Sequence, residues 1–275
     1  GTDFTNAATI VTNGGAVSFS GSTGDINVDA NITTAGGVFS STGSTNFDSS
    51  GRNISTVGAA ETAGGNISIT TTNDITTGTL NTSGGTAAAS SAGENAGAVT
   101  LTAGNLLNIG GYIWANGSNA NGPNAGGNGG AVSLTGTTAG ISIDNVVITK
   151  GGTGSTLGNG GNVTFNSPTR WDFYTLEVDT GDGNGTITFS STVDNEVNSD
   201  ETDLTLKAGT GDVTFSGAVG SSIPLGILKI DAAKNVTFQA PVTIAALNQS
   251  VAGTGTFDLS GSLIALTGTV TINSA

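Results

Sequence analysis

Residues 213–238 read VTFSGAVGSSIPLGILKIDAAKNVTF, and the two ends of that stretch repeat each other. Val213-Thr214-Phe215 and Val236-Thr237-Phe238 each set a hydroxyl between two apolar residues. That is the period-2 pattern of a strand with one buried and one wet face. Two more apolar pairs, Ala218-Val219 and Leu228/Ile230, lie between them, separated by Gly, Ser and Pro corners. A unit this thin cannot bury its apolar face alone and needs a copy above and below.

The copies exist. Val17-Ser18-Phe19, Ile67-Ser68-Ile69, Val99-Thr100-Leu101, Val132-Ser133-Leu134, Val163-Thr164-Phe165 and Ile187-Thr188-Phe189 precede this stretch, and Val270-Thr271-Ile272 follows it. Units counted from Val17, Val38, Ile67, Val99, Val132, Val163, Ile187, Val213, Val236 and Phe257 are 21, 29, 32, 33, 31, 24, 26, 23 and 21 residues long. Val270 reads as a last partial turn and Ala8-Thr9-Ile10-Val11 as an opening one. The expectation is an all-β chain folded as a right-handed parallel β-helix, or solenoid, of about ten to eleven coils with three short strands each. At the inter-strand spacing of about 4.8 Å the coils would make a rod on the order of 50 Å long. Asn or Asp at Asp25, Asn66, Asn162, Asp212 and Asn235 precedes a strand, which predicts a ladder of side chain–backbone hydrogen bonds at that corner.

Composition fits this plan. Charged residues are 9% against about 25% in ordinary globular domains, and 46 glycines supply tight corners. The regular spacing of Val, Ile, Leu and Phe argues against a disordered low-complexity chain. Twenty acids against six bases, Arg52, Lys150, Arg170, Lys207, Lys229 and Lys234, leave a net charge of −14 and no basic stripe. Nucleic acid and anionic membranes are therefore poor partners, and no apolar run is long enough to insert in a bilayer. The chain has no Cys, His or Met, which excludes disulfides, thiolate chemistry, Cys/His zinc sites and Ser–His catalysis. An acidic, Cys-free chain rich in Ser, Thr, Asn and Gly suits an extracellular protein exported unfolded. The opening Gly1-Thr2-Asp3-Phe4 reads as the start of a mature or excised segment.

Residues 1–275 read as one domain with two kinds of decoration. Within 1–162 the long units carry their surplus at one corner: GGTAAASSAGENAGA at 84–98, GSNANGPNAGGNGGA at 117–131 and GGTGSTLGNGGN at 151–162. Stacked, these inserts predict a glycine-rich lobe. Residues 163–275 form shorter, more acidic units.

The stretches GGNISITTTNDITTGTLNTSGG, AGAVTLTAGNLLNIGG and GTGDVTFSGAVGSSIPLGILKIDAAKNVTF resemble the repeat region of filamentous-haemagglutinin-like exoproteins. These are long bacterial surface β-helices, commonly secreted through two-partner systems, and many are adhesins. The resemblance implies an extracellular stalk or fibre segment on the bacterial cell surface, an internal piece of something larger. Its partners would be host or neighbouring-cell glycans or proteins, with homotypic end-to-end or lateral assembly as a further expectation. The family's amino-terminal secretion domain and its Asn-Pro-Asn motif are absent, and no functional residue carries over.

Four groups of residues are candidate sites. Aligning Leu80, Ile113 and Val147 inward puts Tyr112 and Trp114 outward, either as a stacking platform for sugars or as packing beneath the glycine-rich inserts. Arg170-Trp171-Asp172-Phe173-Tyr174 marks the step from long to short units, so Trp171 and Tyr174 either bind a ligand or seal the step. Asp179, Asp182 and Asp212 are candidate calcium ligands, calcium being the one cofactor that the sequence suggests; the alternative is solvated acids that keep sheet edges unpaired. Finally, Ser18/Ser20, Ser68/Thr70, Thr100/Thr102, Ser133/Thr135, Thr188/Ser190 and Thr214/Ser216 form two outward hydroxyl columns of the kind used by ice-binding solenoids, broken at Asn166 and Gln239. Catalysis is not expected, although Arg170 with Asp172, Glu177 or Asp194 keeps a polysaccharide-processing alternative open.

Overall fold

The computed structural model describes residues 1–21, 23–171, 175–196, 202–253, 255–265 and 268–274. Among them there is no helix; 28 strands form one sheet of 18 strands and one of 10, and the strands pair in parallel throughout. This all-β, parallel architecture is compatible with a β-solenoid. Among the described residues no helix is long and apolar enough to cross a membrane.

The ten-stranded sheet is the recurring phrase. Val17, Phe39, Ile67, Val99, Val132, Val163, Ile187, Val213, Val236 and Phe257 pair one to the next in a single register. The larger sheet contains two ladders, one running Phe4–Ile26 and on through Phe47, Ile75, Leu107, Ile141, Thr169 and Val193. The other runs Ile10, Ile32, Ile54, Leu80, Ile113, Val147, Val178, Leu206 and Ile230. Strands Phe47–Ser55, Ile75–Asn81 and Val242–Gly253 are long enough to belong to both, which fuses the two ladders into one sheet. Parallel ladders satisfy the strands' backbone groups from one unit to the next, so a thin interior suffices.

Two sequence-based register assignments are corrected. The second unit starts at Phe39, not Val38: Phe39 is buried and paired with Val17 and Ile67, whereas Val38 is 42% exposed. Gly36 and Gly37 both precede this strand, so the glycine spacing alone fits either start; the pairing aligns Gly37-Val38-Phe39 with Gly15-Ala16-Val17. Val270-Thr271-Ile272 has the wording of the phrase but pairs with Leu247, Asn248 and Gln249 in another ladder. It lies 13 residues after Phe257 (270 − 257), too few for a full unit.

The interior follows the alternation. Phe165, Phe189, Phe215 and Phe238 stack with centroids 4.5, 5.0 and 4.7 Å apart and planes within 4–5° of parallel. Because the register is unbroken here, identical rings fall on one another, each contact adding about 0.5–1.5 kcal/mol beyond burial. The corner ladder is also present. Asn66, Asn162 and Asn235 accept from the backbone N–H of Ala98, Thr186 and Thr256, and Asp212 accepts from the Asn235 amide at 2.7 Å. Asp25 belongs to a different corner, where the amides of Asn46, Asn73 and Asn105 donate to the side chains of Asp25, Asn46 and Asp74 at 2.7–2.9 Å, and Asn73 reaches Asp74 at 3.4 Å.

Candidate functional site

The long inserts leave and rejoin the sheets at a two-residue pinch. Thr12, Thr34, Thr56, Thr82, Thr149 and Thr180 donate from Oγ1 to the carbonyls of Gly15, Gly37, Gly65, Gly97, Gly161 and Gly185 at 2.5–3.0 Å. At Gly37, Gly65, Gly97 and Gly161 the glycine N–H returns to the same threonine's carbonyl at 2.7–3.2 Å. Glycine is required because these backbones touch: a Cβ at Gly97 would lie 2.2 Å from the Gly65 carbonyl oxygen, and one at Gly130 1.9 Å from that of Gly97. Ala115 and Ala208 take the threonine's place in two units and keep only the backbone bonds from Gly130 and Gly211.

Beyond the pinch the inserts are ordered by a rhythm of three. Gly117 and Ala120 donate to the carbonyls of Lys150 and Thr153, while Ser118 and Asn121 donate to those of Glu94 and Ser91. On the return, Gly126 and Gly129 donate to Thr156 and Asn159, and Gly127 and Gly130 to Ser118 and Ala115, all eight bonds at 2.7–3.0 Å. Donors aimed at one neighbour are three residues apart, and adjacent donors aim at different neighbours. That is the geometry of an extended, three-residue-per-turn helix of the polyproline II type, with its backbone satisfied by other runs rather than by water. Side-chain amides serve the remaining direction: Asn116 and Asn119 accept from the N–H of Lys150 and Thr153, and Asn95 and Asn128 from those of Asn128 and Asn159. The three inserts thus bind one another through main-chain and Asn bonds.

At the base of this bundle, Tyr112 and Trp114 lie on the outward side of the strand that buries Ile113, with Trp114 in register with Asn81 and Ile148. Tyr112 is 41% exposed. The two rings stack on each other, centroids 5.1 Å apart and planes 19° from parallel, so each covers one face of the other. Trp171 is fully buried in the core. Tyr174, with Asp172 and Phe173, lies outside the described residues.

The acidic candidates have lysine partners. Asp179 is buried, meets Lys150 Nζ at 2.7 Å and accepts the Gly181 N–H at 2.7 Å. Asp182 is exposed and meets Lys207 Nζ at 2.7 Å. The hydrogen bond to Asp182 raises the Lys207 pKa above 10.5, against the opposing effect of burial and with help from Asp179 and Asp231. Asp212 is engaged by Asn235 in the corner ladder. Among the described residues no three acidic side chains come together as a cation site.

The outward hydroxyls of the phrase ladder are on the surface; Ser40 donates to Ser18 at 3.0 Å, and Asn166 spans Ser133 and Thr135 at 3.1 Å each. A groove of about 420 Å³ is lined by Arg170, Asp194 and Glu196 among others. Arg170 and Asp194 are register partners, Arg170 Nε lies 3.4 Å from Glu196, and Asp194 accepts from the Ser222 N–H at 2.8 Å. The alternation at Asp194-Asn195-Glu196, with Asn195 buried, could have located this groove from the sequence. The insert bundle had no such signal. No protein-family model, curated protein or solved structure matches this chain.

Proposed function

We propose that the chain is a non-enzymatic stalk or fibre segment of an extracellular bacterial surface protein, a right-handed parallel β-helix of about ten to eleven coils. The adhesive element would be the glycine-rich insert bundle, forming a lobe on the stalk. The supporting observation is that the inserts at 84–98, 117–131 and 151–162 are hydrogen-bonded to one another rather than free. Such order is not needed to stack the ladders, because shorter corners do so elsewhere, as at Gly36-Gly37. A rigid rod with side-mounted lobes suits multivalent contact with glycans or proteins on a host or neighbouring cell. The test is adhesion of beads coated with the protein, comparing the wild type with a variant whose three inserts are cut back to short corners. Loss of adhesion with an unchanged β-sheet circular dichroism spectrum supports the reading; equal adhesion refutes it.

A second reading, polysaccharide binding or processing, draws on the Arg170–Asp194–Glu196 groove, where a cation and two carboxylates share one surface. Turnover of an acidic glycan that disappears in Glu196→Gln would favour it; no turnover of any such glycan would remove it.

A further inference from the structure

Among successive outgoing runs, the rhythm of three breaks between inserts 84–98 and 117–131. Between inserts 117–131 and 151–162, the outgoing runs make two successive rungs, Gly117 to Lys150 and Ala120 to Thr153. Between inserts 84–98 and 117–131, the first rung forms, Gly84 donating to the Asn116 carbonyl at 2.9 Å with Asn116 N–H on Ser83 Oγ at 3.3 Å. One turn further out, the next rung would join the Ala87 N–H to the Asn119 carbonyl, and it is missing. Among the described residues the Ala87 N–H, the Asn119 N–H and the Asn119 carbonyl have no hydrogen-bond partner. A groove of about 480 Å³ occupies that spot, with Thr86 and Ala87 on one side and residues 117–121 on the other.

The geometry points to this groove as a binding site for a neutral oligosaccharide, which deepens the adhesive reading and rests on it. The groove brings together unpaired backbone donors from both walls and an acceptor from one, and Thr86 and Asn119 are among its lining residues; Asn119 Oδ1 is already taken by the Thr153 N–H. Neighbouring hydroxyls of a sugar each donate and accept, so one ring can supply what the missing rung lacks. None of the lining side chains is charged, and the chain as a whole carries −14, so a carboxylated or sulfated glycan gains no ion pair and meets a repulsive field. The volume is within the usual range for small-ligand sites, about 300–1,000 Å³.

The test is an immobilised panel of neutral glucose-, galactose-, mannose- and N-acetylglucosamine-terminated oligosaccharides beside sialylated and sulfated counterparts. The wild type should bind at least one neutral member and favour it over the anionic ones. Ala87→Pro removes the N–H and should weaken that binding at least tenfold. Ala87→Phe, which fills the groove without changing the backbone, should do the same if the proline variant folds poorly. Ala88→Pro serves as the control and should bind like the wild type. A blank neutral panel, a preference for anionic glycans, or Ala87 variants that bind normally would each overturn the site. Bead adhesion that survives in the Ala87 variants, yet is lost when the inserts are cut back, would sink this groove while leaving the adhesive reading standing.

Discussion

Thr82 and Gly97 hold each other twice across a fifteen-residue excursion. The Thr82 hydroxyl donates to the Gly97 carbonyl at 2.7 Å, and the Gly97 N–H donates to the Thr82 carbonyl at 2.8 Å. The pair closes the mouth of the 84–98 insert, so the sheets register the same phrase whether the corner is short or long. Both residues are buried. Thr82→Val keeps the shape, leaves the carbonyl without its hydroxyl partner, and should cost about 1–3 kcal/mol in urea unfolding. The reciprocal change, Ala115→Thr, supplies the hydroxyl that its unit lacks and should gain about 0.5–1.5 kcal/mol. A loss on Ala115→Thr would show that the pinch lacks the room seen at Thr82 and Thr149.

Within the bundle, close backbone approach predicts intolerance of any side chain. A Cβ on Gly129 would fall 1.9 Å from the Thr149 carbonyl oxygen. Gly129→Ala should destabilise by about 1–3 kcal/mol. It should also make residues 117–131 susceptible to protease while the phrase ladder stays intact. Ser155→Ala, at an exposed position, is the matched control and should change neither.

The stacked phenylalanines predict a graded core. Phe215 is wholly buried between Phe189 and Phe238, so Phe215→Ala should cost about 3–5 kcal/mol and Phe215→Leu clearly less. Equal effects for the two substitutions would contradict a graded core, because leucine restores most of the buried apolar area and only the ring contacts are lost in both.

The acidic half predicts lysine rather than calcium dependence. With ammonium groups on Asp179 and Asp182, millimolar calcium should leave the thermal midpoint unchanged, and a clear rise would contradict this assignment. Lys150→Met should destabilise, because Asp179 is then buried without its cation. The Lys207 pKa is raised on folding, so its contribution is complete below its ordinary value of 10.5 and is lost as pH rises through the higher folded value. A Lys207→Met variant should therefore unfold with a flatter pH dependence above 10.5 and leave the neutral range unaltered in slope.

The strands were legible because period-2 alternation is local: Val-Thr-Phe needs no knowledge of its partner to say which side is wet. The register was less legible: Gly36 and Gly37 stand two residues ahead of Val38 and Phe39 respectively, so the doubled glycine fits either start and only pairing with Val17 and Ile67 decides. Val270 misled for a related reason, since three residues of alternation fit any of the ladders and only the spacing decides. The insert bundle was expected as a lobe, but its internal order was not visible. Its rungs join residues such as Gly117 and Lys150, 33 apart (150 − 117), and Gly, Ala, Ser and Asn in a row carry no hydrophobic period. Tyr112 and Trp114 face outward as the alternation predicts, but no local pattern shows that their rings stack on each other. Trp171 is fully buried in the core, and its place at the step between long and short units does not by itself separate a ligand contact from a seal.

Hydrogen exchange of the 117–131 segment tests the central claim most directly, because Gly126, Gly127, Gly129 and Gly130 all donate to other runs of the bundle. If the inserts are an ordered part of the molecule, these amides exchange orders of magnitude more slowly than in an unstructured chain, close to the rates of Val132 and Leu134 beside them. Exchange at the unstructured rate within seconds, with the strands still protected, would reduce the inserts to loose loops and contradict the account.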